Sequence, residues 1–354
     1  MSRSTSATEL RIDLGAIVAN WRALCARHPS GPVAAVVKAD AYGLGADRVA
    51  PALYAAGCRH FFVAHLAEAL AVRALVPDAM LGVLNGLWPG DAPLYHAHGL
   101  VPALGSLAEI ASWAGPAILH VDTGMNRLGL SAPEVDALAA APETLQGIEL
   151  RYIMTHLAAS EDPADPANAA QLRRFVDACA RLPAAPRSLA NSSGLFLGPP
   201  FDSDLARPGA ALYGVNPQPG QPNPMQSVVN LRARILSVRE VPAGETVGYN
   251  GTWTAARPSR IGTLSVGYAD GYLRSLSHAG QALFDGSKVP LVGRVSMDLT
   301  TFDLTDLPKA GVGDWLELIG PEMPVDAVAA RAGTNGYEIL TSLGRRYRRV
   351  YQAA

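Results

Sequence analysis

The sequence predicts an α/β protein in two parts, an N-terminal (β/α)8 TIM-type barrel over residues 1–222 and a C-terminal mainly-β domain over residues 223–354. Three observations predict it. Short apolar runs alternate with segments of helical spacing through the first two-thirds of the chain, as in a parallel sheet wound with helices. A stretch rich in Pro, Gly and Gln, Asn216–Pro224, ends that alternation and reads as a linker. Beyond it, β-type runs separated by turn signals take over.

The first helical segment is Leu14–Arg27, with Ile17, Val18, Trp21, Leu24 and Cys25 on one face. Val33–Val37 follows as a buried strand. Helix and strand then repeat: Asp47–Gly57 with His60–Ala64, Leu66–Leu75 with Met80–Leu84, Ala92–His98 with Leu100–Ala103, and Leu107–Ala114 with Ala117–Val121. Pro133–Ala141 with Ile148–Met154 and Asn168–Leu182 with Arg187–Ala190 continue the series, and an eighth strand is expected between Leu205 and Tyr213. Open doubly wound sheets usually hold fewer strands. In the second part the strands are Val228–Arg239, Arg260–Val266, Val289–Val295 and Trp315–Ile319, with turns at Asp285-Gly286 and Ala310–Asp314 and a short helix over Pro324–Ala332. The first few residues are expected to join this β-rich part.

Composition narrows the function. With 49% hydrophobic and 17% charged residues, the chain has material for a large core. A net charge of −2 argues against nucleic acid or an acidic membrane as partner. There is no apolar run of about 18 residues, hence no expected membrane helix. The segment Met1–Thr8 lacks an apolar export core, so a cytoplasmic location is expected. Cys25, Cys58 and Cys179 are far apart and odd in number, which suits core thiols in a reducing compartment. No Cys-x-x-Cys spacing occurs and His96-Ala-His98 has no third ligand nearby, so no metal is expected.

Chemistry in such a barrel gathers where the strands end at their C-terminal face. Lys38 ends the first strand, His120 the fifth, His156 the sixth and Asn191-Ser192 the seventh, while the eighth carries Arg207. Lys38 follows five apolar residues. A partly desolvated amine there loses proton affinity and can attack an aldehyde. On position alone, a lysine reaching from a strand end to water fits as well.

The run Val36-Val-Lys-Ala-Asp-Ala-Tyr-Gly-Leu-Gly45 resembles the cofactor-lysine motif of the alanine racemase family, with Asp40 where the family usually has Asn. Val121–Gly129, Ala190-Asn-Ser192, Arg207–Gly214, Val266–Gly271, Gly293–Asp298 and Gly336–Ile339 are similar to further motifs of that family, in family order. The resemblance implies a pyridoxal 5'-phosphate enzyme that interconverts L- and D-alanine, D-alanine being a peptidoglycan precursor. It implies Lys38 as the residue holding the cofactor and as the base for the D-enantiomer, with Tyr268 as the base for the L-enantiomer on the opposite face of Cα. Tyr42, Ser192, the backbone of Gly209 and Tyr337 would hold the cofactor phosphate through neutral donors, and Asn191 belongs to the same motif. Arg207 would donate to the pyridine nitrogen without giving up a proton, which keeps the ring a weaker electron sink. His156 would pack beside Arg207 and the ring; a core histidine fits there too. Arg127 would meet the cofactor's phenolic oxygen, Arg127 and Met297 would receive the substrate, and Arg294, Tyr337 and Glu161 would flank the entry. The resemblance also implies a homodimer with shared sites, Tyr268 reaching the partner's cofactor.

One departure stands out. The family commonly places a carbamylated lysine where this chain has His120. Histidine supplies at most one neutral acceptor, so His120 is expected to stay neutral, or a bound anion to fill the carbamate's space. Alternatives remain at this level: a racemase of broader or serine preference, a decarboxylase of the same barrel type, or a barrel that only carries the cofactor. No cysteine lies beyond Cys179, which disfavours the decarboxylase, and the added β domain disfavours the carrier. Asp122 and Asp270 are expected as structural acceptors in turns, and Arg345–Arg349 as a solvated or intersubunit face.

Overall fold

The structure, a computed structural model, describes residues 6–353. The chain divides into two compact units, Ile17–Met225 and a second formed by the residues up to Ala16 together with those from Gln226 on.

In the first unit seven strands lie side by side in chain order, all parallel: Ala35–Val36, His60–Val63, Met80–Val83, Leu100–Leu104, Gly115–His120, Ile148–Met154 and Arg187–Ser188. Residues 205–208 close the ring. Val33 and Ala206 form a parallel bridge, and the N–H groups of Ala34 and Val36 donate to the carbonyls of Ala206 and Pro208 at 2.8 and 3.1 Å. On the other side, Leu205 and Arg207 donate to Arg187 and Ala190 at 3.1 and 2.8 Å. The expected eighth strand, Leu205–Tyr213, is therefore cut short. Pro208 has no N–H, and at Gly209 (φ −122, ψ −79) the chain turns into a 3-10 turn over Ala210–Tyr213. The last connection also lacks an α-helix: Gly198 in the left-handed region and the Pro199-Pro200 pair leave only 3-10 turns.

The ring is filled by Ala34, Val36, Phe62, Val101, Ala103, Ile118, Met154 and Leu205. Gly82 makes room for Phe62; a Cβ there would lie 2.6 Å from its ring. Burying each large apolar side chain contributes roughly 1.5–3 kcal/mol.

Three outer helices start with one device. Glu68, Glu109 and Glu134 are the third residues of helices Leu66–Arg73, Leu107–Ala111 and Ala132–Ala140. In each, one carboxylate oxygen accepts N–H groups at its own helix start: Ala64 and His65 (2.8 and 3.1 Å), Gly105 (2.7 Å) and Ser131 (2.8 Å). The other oxygen reaches back to the preceding β–α connection, taking the N–H of Ala39 (2.6 Å), Leu87 (2.9 Å) or Leu107 (3.4 Å). The carboxylates thus cap helix starts, as expected of acidic residues there, and also tie neighbouring loops together.

The second unit is built on the long strand Val229–Val241. It pairs antiparallel with Thr8–Asp13, Trp315–Ile319 and Ser259–Leu264, and Thr8–Asp13 pairs parallel with Arg348–Gln352. Gln281–Phe284, Ser287–Pro290 and Thr300–Asp303 complete the eight-stranded sheet. The run expected as one strand over Val289–Val295 leaves the sheet after Pro290, keeping only a Leu291–Phe302 bridge. The short helix is Val325–Ala332; a second, Gly336–Ser342, lacks enough apolar periodicity to be read from sequence. Buried Glu9 joins three strands, meeting Arg232 at 2.7 Å and Arg348 at 3.0 Å across the sheet and Arg11 at 2.7 Å along its own strand. Among the described residues no helix is long and apolar enough to cross a membrane.

Candidate active site

Lys38 stands two residues past the first barrel strand, and the backbone then does something unusual. Ala39, Asp40, Ala41 and Tyr42 all take left-handed helical angles, φ 52, 55, 53 and 55. Ala41 donates to Val37 at 2.9 Å and Gly43 to Ala39 at 2.7 Å, closing one left-handed turn. Such residues cost roughly 1–2 kcal/mol each. Two side chains support the turn: Glu68 accepts from Ala39, and Asp40 accepts from Ala46 at 2.8 Å. The amide oxygen of an Asn would serve as well at position 40, which accounts for the mildness of that departure.

The turn delivers Tyr42 onto the end of the barrel. Its ring stacks on Tyr213 at 4.7 Å, and Tyr213 is fixed by donating to the Val36 carbonyl at 3.0 Å. A Cβ on Gly209 would lie 2.2 Å from the Tyr42 hydroxyl, so a larger residue there would displace the Tyr42 ring. The Ser192 hydroxyl accepts from the N–H groups of Gly209 and Ala211, both at 3.1 Å. Tyr42, Ser192 and Gly209 are thus gathered in one small polar cradle. The Asn191 side chain faces protein instead: its oxygen accepts from Ser160 (2.9 Å) and Gly194 (2.8 Å), shaping the turn that presents Ser192.

Around the mouth the charges are one-sided. Arg207 is buried; it donates to the Ser188 hydroxyl and, at 2.6 Å, to the Thr155 carbonyl. Burial pushes it down to about 10, so it stays protonated at neutral pH. Its side-chain partners there are neutral acceptors, an unusual state for a buried cation. Burial and the charges of Arg207 and Arg127 push His120 down to about 4, against the opposing pull of Asp122. His156 is pushed down to about 3 by burial, Arg207, Arg127 and Lys38. Both imidazoles are therefore neutral at pH 7, as expected for His120. Lys38 is held below the usual ammonium range by burial and Arg127, with Glu68 opposing. Arg127 itself is exposed, on a loop whose backbone N–H groups at Gly124, Met125 and Asn126 all donate to Asp122. Of the chain's three lysines, Lys288 and Lys309 are exposed and belong to the other unit, leaving Lys38 as the barrel unit's only lysine.

In the β unit, Tyr268 opens a 3-10 turn and is 42% exposed. Tyr268 and Ala269 donate to the carbonyls of Ser296 and Met297, both at 3.0 Å, which brings Tyr268 beside Met297. Gly267 is required for this approach, since a Cβ would lie 2.3 Å from the Met297 carbonyl. Buried Asp270 accepts from Gly267 at 2.9 Å, and Gly344, just past Tyr337's helix, donates to the Asp270 carbonyl at 2.9 Å. Arg346 pairs with Asp270 at 3.0 Å and Asp298 at 2.7 Å, and Arg348 pairs with Glu9. The basic run is thus partly an internal clamp, with ion pairs that sequence distance concealed. Tyr268, Met297 and Tyr337 are all surface-exposed in this unit.

The family model for the alanine racemase N-terminal domain matches residues 12–217, and that for the C-terminal domain residues 228–351. An alanine racemase of Acidiphilium cryptum is 60% identical over 97% of this chain and 98% of its own length, and one of Rhizobium meliloti is 47% identical over 98% and 97%. The chain belongs to the alanine racemase family. A crystal structure of alanine racemase from Bartonella henselae with covalently bound pyridoxal phosphate is similar with a TM-score of 0.95 and 44% identity, over 98% of this chain and 100% of that one. The biosynthetic alanine racemase of Pseudomonas aeruginosa follows with 0.93 and 36% over the same shares.

Several residues of this family member's mouth escape sequence reasoning. Gln171, on helix Pro166–Arg181, donates to the His156 carbonyl (3.0 Å) and Thr123 (3.1 Å) and accepts from Ala158 (2.8 Å). Arg174 donates to the Thr123 carbonyl at 2.8 Å, and Thr123 meets Thr155 at 2.8 Å. These groups brace the loops bearing Arg127 and His156. Only the polar residues on an otherwise amphipathic helix could have signalled them.

Proposed function

We propose that this chain interconverts L-alanine and D-alanine by two-base proton transfer at Cα, with pyridoxal 5'-phosphate as its cofactor. The observation that carries this reading is Lys38: the barrel unit's only lysine, at the mouth, its proton affinity lowered by burial and by Arg127.

The residues present fit the cofactor. Tyr42, Ser192 and the backbone at Gly209 offer neutral donors of the kind that bind phosphate, with Tyr337 reaching in from a β unit. Asn191 shapes the turn beside them. The Lys38 amine, partly desolvated, would hold the cofactor through its aldehyde carbon, the carbonyl oxygen leaving as water. Arg207 would donate to the ring nitrogen and keep its own proton. His156, neutral, packs beside Arg207. Arg127, exposed to solvent, would orient the phenolic oxygen and, with Met297, the substrate carboxylate. When bound, the cofactor supplies an electron sink that acidifies the Cα–H.

Two bases then do the work. Lys38 takes or returns the proton on one face of Cα, and the Tyr268 phenol does so on the other. The reading includes a homodimer in which each Tyr268 serves the partner's Lys38; the exposure of Tyr268, Met297 and Tyr337 supports it. Unpaired thiols at Cys25, Cys58 and Cys179 suit the cytoplasm as its compartment.

The test is alanine in heavy water. Wild type should scramble its handedness while placing deuterium at Cα, with no amine released. Lys38→Ala should abolish both exchange and the visible absorbance of bound cofactor. Release of ethylamine and CO2 would replace this reading with decarboxylation.

A further inference from the structure

We propose that Glu68 is a positioning residue of the active site, its carboxylate holding the entrance of the left-handed turn and so setting Lys38 in place. The inference rests on the reading of Lys38 as the cofactor lysine.

Glu68 belongs to the helix after the second strand, 29 residues beyond Ala39. One oxygen takes the Ala39 N–H at 2.6 Å, the other those of Ala64 and His65 at 2.8 and 3.1 Å. The Ala39 amide is the first donor after Lys38, at the entrance of the strained turn. A charge-assisted hydrogen bond is stronger than a neutral one, so this contact offsets part of the cost of the left-handed residues. Asp40, accepting from Ala46, and the Tyr42 ring stacked on Tyr213 hold the far end of the turn. Releasing Ala39 frees the Lys38 end while leaving the Tyr42 end anchored. The related Glu109 and Glu134 tie loops that carry no site residue at the corresponding position. Glu68 is the member of this set next to the chemistry, and its charge also reaches Lys38. The charged groups acting on Lys38 are Glu68 and Arg127, with neutral His156 also nearby.

The variant Glu68→Gln keeps the shape but removes the charge. It also places an NH2 group against one of the N–H sets. Two measurements on the cofactor-free protein read the outcome. Competitive amine labelling over pH 7–11 follows Lys38, with exposed Lys288 and Lys309 as internal references in the same molecule. Lys38 should label at lower pH in the variant, its reactivity at pH 8 rising severalfold relative to Lys288. Amide exchange at Ala39 should accelerate about tenfold or more, as expected for losing at least ~1.4 kcal/mol, with strand amides at Phe62 and Ile118 unchanged. A merely structural glutamate would loosen the fold without moving Lys38 relative to the other lysines.

Glu68→Asp separates the two effects and also serves if the Gln variant does not fold. It keeps the charge but cannot span both N–H sets, so Ala39 should still exchange fast while Lys38 labels nearly as in wild type. Unchanged Lys38 labelling and Ala39 exchange in Glu68→Gln overturn the proposal. Failure of the underlying reading looks different: borohydride reduction of wild type loaded with pyridoxal phosphate would then fix the cofactor to Lys288 or Lys309.

Discussion

His120 and His156 are kept neutral by burial and by surrounding cations, and this has a consequence for acid stability. Their folded values, about 4 and about 3, lie below the 6.5 of a free imidazole. Between pH 6.5 and 4 the unfolded chain therefore binds more protons than the folded one. The stability they contribute is whole above about pH 6.5 and is lost as pH falls toward 4. His120→Asn should make that acid loss shallower by about 1–3 kcal/mol, since a tenfold change in proton affinity is worth roughly 1.4 kcal/mol. Urea unfolding of the cofactor-free protein at pH 7, 5.5 and 4.5 measures it; parallel decline in both proteins would refute the assignment. At this scale sequence was informative where one residue type has few alternative uses. Lys38 and Arg207 stood out at strand ends. Ser188 and the Thr155 carbonyl, which hold Arg207, lie 19 and 52 residues away from it and become its partners only through barrel closure.

Among elements, the left-handed turn after Lys38 was the least legible. Ala39, Asp40, Ala41 and Tyr42 carry no glycine signal for positive φ; the glycines come after, at 43 and 45. The apolar period located the neighbouring strands because burial alternates with chain direction, but it says nothing about backbone handedness between them. The eighth strand was overextended for a related reason: Ala210–Tyr213 is as apolar as a strand, and only the lost N–H of Pro208 and the turn at Gly209 divert it. If the turn is strained, glycine should relieve it. Ala39→Gly trades roughly 1–2 kcal/mol of left-handed strain for up to about 1 kcal/mol of unfolded-state entropy. The expected net is a gain of about 0.5–1 kcal/mol, read as a higher urea midpoint with unchanged slope. A loss above 1 kcal/mol would mean that the alanine methyl is itself packed and the strain account is wrong.

At the scale of the whole molecule the question is which chain completes which site. Each unit carries half of the proposed chemistry: the amine, the cradle and the arginines on the barrel, and the phenol with Met297 and Tyr337 on the β unit. A two-base mechanism needs both halves at one carbon. In a closed two-fold dimer each interface contact occurs twice, so two identical shared sites form. This gives complementation a definite arithmetic. Lys38→Ala and Tyr268→Phe proteins are each expected to be inactive as racemases, the second retaining its cofactor absorbance. Dissociated, mixed in equal amounts and reassociated, half of the dimers should be hybrids. In a hybrid one site lacks both bases and the other has both intact, so activity should return to about a quarter of the wild-type value. Were both bases supplied by the same chain, every site in the mixture would lack one of them and the mixture would stay inactive. A sedimentation measurement on the same mixture confirms that dimers re-formed, so that a silent mixture of re-formed dimers counts against the shared site and not against the reassociation.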